Sequence, residues 1–145
     1  MFILDTNILV NILVKDFNTL GPKEEDILRK VRLIAIEDLI IPSFVLTELL
    51  LVIKRVMPKR LKLTKKDSTT LYKNSLEFIY NKITEHVLIE NPSRVELKRA
   101  IEINQKDPNT ELTFIDILIQ VMAKERSLDV ITLDRKLFQA IKKGP

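Results

Sequence analysis

Met1-Phe2-Ile3-Leu4-Asp5-Thr6-Asn7-Ile8-Leu9 sets an apolar run against a short polar turn, then returns to apolar residues, Ile8-Leu9 and Ile12-Leu13, at helical spacing. An uninterrupted apolar run is what a strand buried on both faces gives, and the switch to a three- and four-residue period marks a helix, so the chain opens as strand, turn, helix. Working outward, Pro22 starts an acidic first turn, Glu24-Glu25-Asp26, and Ile27, Leu28, Val31, Ile34 and Ala35 predict a helix to about Glu37. Leu39-Ile40-Ile41 predicts a second strand, and Pro42-Ser43 begins an apolar helix from Phe44 to Val56 that Pro58 is expected to end. The same reading places a helix over Lys65 to Lys82, a strand at Val87-Leu88-Ile89 and a helix from Pro92-Ser93 to Lys106. After the break at Asp107-Pro108-Asn109-Thr110 it places a helix over Thr113 to Glu125, a strand over Asp129 to Leu133 and a last helix from Arg135 to Lys142. Strands alternating with helices predict an α/β fold, a mainly parallel sheet covered on both faces.

The 145 residues, 46% apolar and 30% charged, suit one domain, 1–145, with one core. Several chemistries are excluded by what is missing. Gly21 and Gly144 are the only glycines, so neither a P-loop nor a dinucleotide fingerprint can be built. With no cysteine there is no disulfide, thiol nucleophile or thiolate zinc site, and with His86 as the sole histidine a three-histidine zinc centre is impossible. No apolar run approaches the roughly 18 residues of a membrane span, and no leader pattern precedes Asp5, so a soluble cytoplasmic protein without membrane contact is expected.

Four carboxylates stand in places that burial makes costly. Asp5 and Asp134 each follow an apolar strand where a helix begins; in open α/β sheets the crevice beyond the strand ends is where ligands bind, although each acid also suits the role of N-cap. Glu48 interrupts an apolar helical row between Phe44-Val45 and Leu51-Val52. Asp116 interrupts Leu112-Thr113-Phe114-Ile115-Asp116-Ile117-Leu118-Ile119, where a first-turn acid with Thr113 as cap is the alternative. A buried ionised carboxylate needs a cation or hydrogen bonds. The local sequence offers almost no Lys or Arg, so a divalent metal is inferred, and oxygen-only donors favour Mg2+ or Mn2+ over zinc or copper. Such a site suits phosphodiester hydrolysis, because the cation makes water reactive at neutral pH and neutralises phosphate charge without a histidine base. Thr6 and Asn7, beside Asp5, are secondary candidates. So is Thr132, which strand alternation puts on the face of Asp134, unless it is an ordinary β-branched strand residue.

The charge is local. Lys54, Arg55, Lys59, Arg60, Lys62, Lys65 and Lys66 lie in a stretch without one acid, and setting these seven aside from the 24 cations leaves 17 against 20 acids. The run is either a solvated face or a phosphate-binding patch.

Together these residues resemble the PIN domain family, the metal-dependent ribonuclease fold of VapC-like toxins and RNA-processing nucleases. The resemblance is carried in order by Ile3-Leu4-Asp5-Thr6-Asn7-Ile8-Leu9, Pro42-Ser43-Phe44-Val45-Leu46-Thr47-Glu48-Leu49, Thr113-Phe114-Ile115-Asp116-Ile117 and Val130-Ile131-Thr132-Leu133-Asp134. It implies a Rossmann-like sheet, an endoribonuclease with Asp5, Glu48, Asp116 and Asp134 around Mg2+ or Mn2+, RNA as substrate with the basic run as its rim, frequent homodimers, and a small antitoxin protein where the member is a toxin. Compact size favours the toxin over a housekeeping RNA-processing nuclease on analogy alone. The chain departs from the family at Arg126-Ser127-Leu128, where members often carry glycine or another small residue. Two other classes compete: a non-catalytic RNA-binding scaffold, and a haloacid-dehalogenase-type phosphatase, which wants a second Asp where this chain has Asn7.

Overall fold

The computed structural model describes residues 1–144. The strands are β1 (Phe2–Leu4), β2 (Leu39–Pro42), β3 (Leu88–Glu90) and β4 (Asp129–Ile131). The helices are α1 (Thr6–Val14), α2 (Pro22–Arg32), α3 (Ser43–Leu51), α4 (Met57–Arg60), α5 (Lys65–Phe78), α6 (Thr84–His86), α7 (Arg94–Lys106), α8 (Phe114–Arg126) and α9 (Arg135–Lys143). The sheet is parallel throughout, in the order β3-β2-β1-β4, with Ile3 paired to Ile40 on one side and to Val130 on the other. This is the α/β architecture that the alternation predicts.

Burial explains the runs. Ile3, Ile8, Leu9, Ile41 and Leu49 are fully enclosed where α1 and α3 pack over the sheet, and α8 has seven successive buried residues, Ile117 to Ala123, so its apolar sequence lacks a polar stripe. From β1 the chain moves outward through β2 to β3, then returns across α7 and α8 to lay β4 on the opposite side of β1. The direction of winding therefore reverses between β1 and β4, and the ends of those two strands border the crevice where such sheets bind ligands.

Three helix boundaries differ from expectation. The helix from Pro22 ends at Arg32 rather than near Glu37, and a 3-10 turn at Ile36–Asp38 carries the chain into β2, whose start is fixed by the pairing of Leu39 with Phe2. Pro58 does not end the helix begun at Ser43. A π-turn over Val52–Val56 bonds Met57 N–H to the Val52 carbonyl, opening the ladder where the Pro58 ring would meet the Lys54 carbonyl, and the chain stays helical to Arg60. A second π-turn, Ile79–Ile83, likewise extends the helix from Lys65 through α6 to His86.

The family departure at Arg126-Ser127 has a local answer. Ser127 caps α8 in the left-handed conformation, φ 53°, where glycine carries no Cβ penalty. Ser127→Gly is expected to raise the unfolding free energy by about 0.5–1 kcal/mol in urea titration, with the α8 sequence otherwise untouched.

Candidate functional site

A cavity of about 600 Å³ opens at the carboxyl ends of the strands, walled by Asp5, Thr6, Asn7, Glu48, Thr113, Asp116 and Asp134. All four acids singled out from the sequence thus border one space, brought there by β1, α3, α8 and the turn after β4. Asp5 is the most deeply placed, 4% exposed. Its Oδ1 accepts from the Thr6 amide at 2.7 Å, and its Oδ2 accepts from the Thr132 hydroxyl at 2.7 Å and from Asn7 Nδ2 at 3.3 Å. No lysine or arginine answers its charge among the ion pairs of the described residues. Burial pushes the carboxyl up to about 6, against the Thr132 and Thr6 hydrogen bonds, which favour the ionised form; the charges of Asp116 and Glu48 push it further up.

Asp134 and Asp116 also serve as helix caps. Asp134 caps α9, its Oδ1 accepting from the Lys136 and Leu137 amides at 2.9 and 3.3 Å. Asp116 completes a capping box with Thr113, taking the Thr113 amide at 3.0 Å while the Thr113 hydroxyl takes the Asp116 amide at 3.1 Å. A cap consumes one carboxylate oxygen in each case, so a second oxygen stays available to the cavity. Glu48 is half-buried and has no hydrogen-bond or ion-pair partner among the described residues.

Asn7 and Thr132 tie the two strand ends together. Asn7 Oδ1 accepts from the Leu133 amide at 3.0 Å, while its Nδ2 reaches Asp5 and, at 3.4 Å, Thr132 Oγ1. Thr132 Oγ1 in turn accepts from the Asp134 amide at 2.9 Å. Strand β4 stops at Ile131, so Thr132 joins Asp134 through this turn and not through strand alternation. A single hydroxyl thereby sets both acids at the switch point, and Thr132→Val is expected to cut any turnover dependent on them by about 10–100-fold and to lower Tm by a few degrees, since the Asp134 amide and Asp5 Oδ2 lose a buried partner. A lowered Tm with unchanged turnover would show Thr132 to be structural only.

The donor set is suited to a hard cation: four carboxylates, with no sulfur or imidazole. A second observation agrees. Thr6 Oγ1, beside Asp5 in the cavity wall, is a buried hydroxyl without a hydrogen-bond partner among the described residues, and such a group costs about 1–3 kcal/mol unless something meets it. Among the described residues no three His, Cys, Asp or Glu side chains converge on one point, so the acids ring the space without closing on it. Of the seven cations between Lys54 and Lys66, Arg60 alone borders the cavity; Lys54 instead lies over the Tyr72 ring, 5.1 Å from its centroid. Asn11, Asn18 and Thr113 also line the wall, and no sequence signal beyond the capping pattern of Thr113 marked them.

Comparison with known proteins places this fold. The fold matches the crystal structure of VapC20 from Mycobacterium tuberculosis, a toxin that cleaves the sarcin-ricin loop, at TM-score 0.67 and 12% identity, covering 97% of this chain and 95% of that one. It matches FitAcB from Neisseria gonorrhoeae at TM-score 0.64 and 20% identity, covering 98% and 94%. A toxin-antitoxin complex from Klebsiella pneumoniae matches at 0.52 and 18%, covering 95% and 90%. No curated protein sequence matches. The PIN domain model matches residues 2–144, and the chain belongs to the PIN domain family.

Proposed function

We propose that this PIN domain is a metal-dependent endoribonuclease and the toxin of a toxin-antitoxin pair, acting in the cytoplasm. One observation carries the chemistry: Asp5 is a buried carboxylate without a countercharge, at the switch point of the sheet, in a cavity that three more acids share. Asp5, Glu48, Asp116 and Asp134 would hold Mg2+ or Mn2+. Magnesium keeps several of its waters and is bound by few carboxylates directly, which suits acids that ring a space without converging on it. When bound, the cation supplies a reactive water at neutral pH and neutralises charge on the scissile phosphate. The chain's own residues do the rest: Thr132 and Asn7 hold Asp5 and the Asp134 turn in register, and the run from Lys54 to Lys66 offers phosphate contacts at the rim.

The toxin role is supported by the solved structures of similar fold, a loop-cleaving toxin and a toxin-antitoxin complex among them. It carries two expectations, a small antitoxin partner and a homodimer. Purified protein incubated with mixed RNA is expected to cut it in Mg2+ or Mn2+ and to be silent in EDTA. RNA binding without cleavage in any metal would replace the nuclease by a non-catalytic RNA-binding module.

A further inference from the structure

Val52 and Met57 stand five residues apart, yet both line the acidic cavity with Glu48, Arg60 and Leu61. In an α-helix residues five apart are turned about 140° from one another, so this shared face exists only because the Val52–Val56 π-turn adds a residue to one turn. Without it, the wall begun by Glu48 and Val52 would continue through Val56 and Lys59, three and four residues to the turn. With it, Arg60 takes that place. The π-turn therefore selects which of seven clustered cations meets the acids.

Arg60 is also free. Four carboxylates share its cavity, yet among the ion pairs of the described residues it takes part in none, and it stays exposed at the mouth. A cavity of four acids repels a phosphodiester, and a planar guanidinium can pair with two phosphate oxygens at once where an ammonium offers a point charge. Resting on the nuclease reading above, we infer that Arg60 grips the phosphate being cut and stabilises the charge that builds on it, while the other six cations only draw RNA to the rim.

The test compares wild type, Arg60→Gln, Arg60→Lys and Lys59→Gln on a labelled RNA, with kcat and KM measured in Mn2+ at several salt concentrations. Arg60→Gln is expected to lower kcat by about 100-fold, with Arg60→Lys recovering part of it. Lys59→Gln is expected to leave kcat alone, raise KM and lower the salt slope by about 1. If both glutamine variants change only KM and salt slope, Arg60 is one more rim cation and the inference falls. RNA affinity by fluorescence anisotropy in EDTA separates the two readings. Should wild type cut nothing in any metal, the nuclease reading fails; Arg60 then keeps its phosphate contact only if Arg60→Gln weakens binding several-fold more than Lys59→Gln, and equal effects overturn it.

Discussion

Asp5→Asn is expected to abolish RNA cleavage and, in the same molecule, to make the metal-free protein more stable at neutral pH. The first effect follows from removing the most enclosed charge of the cavity, and should be on the order of 10³-fold in kcat/KM. The second follows from linkage. The Asp5 carboxyl titrates near 6 in the folded chain against 3.8 in its ordinary state, so the native protein holds a proton that the unfolded chain has released. The contribution of Asp5 to stability is then highest below about pH 4, where the group is neutral in both states, and falls as pH rises toward 6. At 1.36 kcal/mol per pH unit the full cost at pH 7 is about 3 kcal/mol. Asn keeps one oxygen as acceptor for the Thr6 amide, but its NH2 replaces the oxygen that accepts from the Thr132 hydroxyl and from Asn7 Nδ2, so that hydroxyl must turn to accept and two amides face each other; a net gain of about 1 kcal/mol is expected. Urea unfolding in EDTA at pH 7 and pH 4 reads this directly, the gain being present at the first and absent at the second. Mn2+ should raise the Tm of wild type and leave the variant unmoved, since only a species that binds the native state stabilises it. A variant no more stable than wild type at pH 7 would mean that the charge of Asp5 is already compensated.

The same residues show what a sequence discloses and where it stops. The strand-end position of Asp5 and Asp134 was legible because a buried parallel strand leaves an apolar run that ends at the turn. Glu48 and Asp116 were legible because each breaks a row of apolar residues at helical spacing, and the structure sets all four on one cavity. The helix through Pro58 was not legible. Hydrophobic period reports an average turn, whereas the one residue inserted at Val52–Val56, where the ladder opens around the Pro58 ring, moves every later side chain round the helix. Hence the basic run could be seen as a patch, but Arg60 could not be told from Lys59. The tie between Asn7 and Leu133 joins residues 126 apart and leaves no periodic trace.

Arg126→Met is the second large effect, at a residue whose only sequence signal was a departure from the family's small residue. Arg126 gives a two-pronged pair to Glu96, Nε to Oε2 at 2.8 Å and Nη2 to Oε1 at 2.7 Å, and also reaches the Asn91 carbonyl at 2.9 Å and Glu90 at 3.8 Å. One side chain thus joins the end of α8 to α7 and to the end of edge strand β3. Glu96 is only 4% exposed, so removing its partner strands a buried carboxylate whose remaining capping partner is the Ser93 amide, 2.7 Å from Oε1. The expected loss is about 3 kcal/mol of unfolding free energy at pH 7. The sign with pH is fixed by the Arg126 hydrogen bonds, which hold the Glu96 carboxyl below its ordinary 4.5. The pair's contribution is full above that value and fades as pH falls through the lower folded one, so wild type and variant should converge in acid. Replacing both partners, Arg126→Met with Glu96→Leu, should recover much of the loss, because a buried ion pair gives little over an apolar pair of similar volume. Asp116 lies at the other end of α8, so RNA cleavage by the single variant well below its Tm should match wild type. A single variant as stable as wild type at pH 7 would mean that Glu96 finds water or another donor, and that α7 and α8 are held by apolar packing alone.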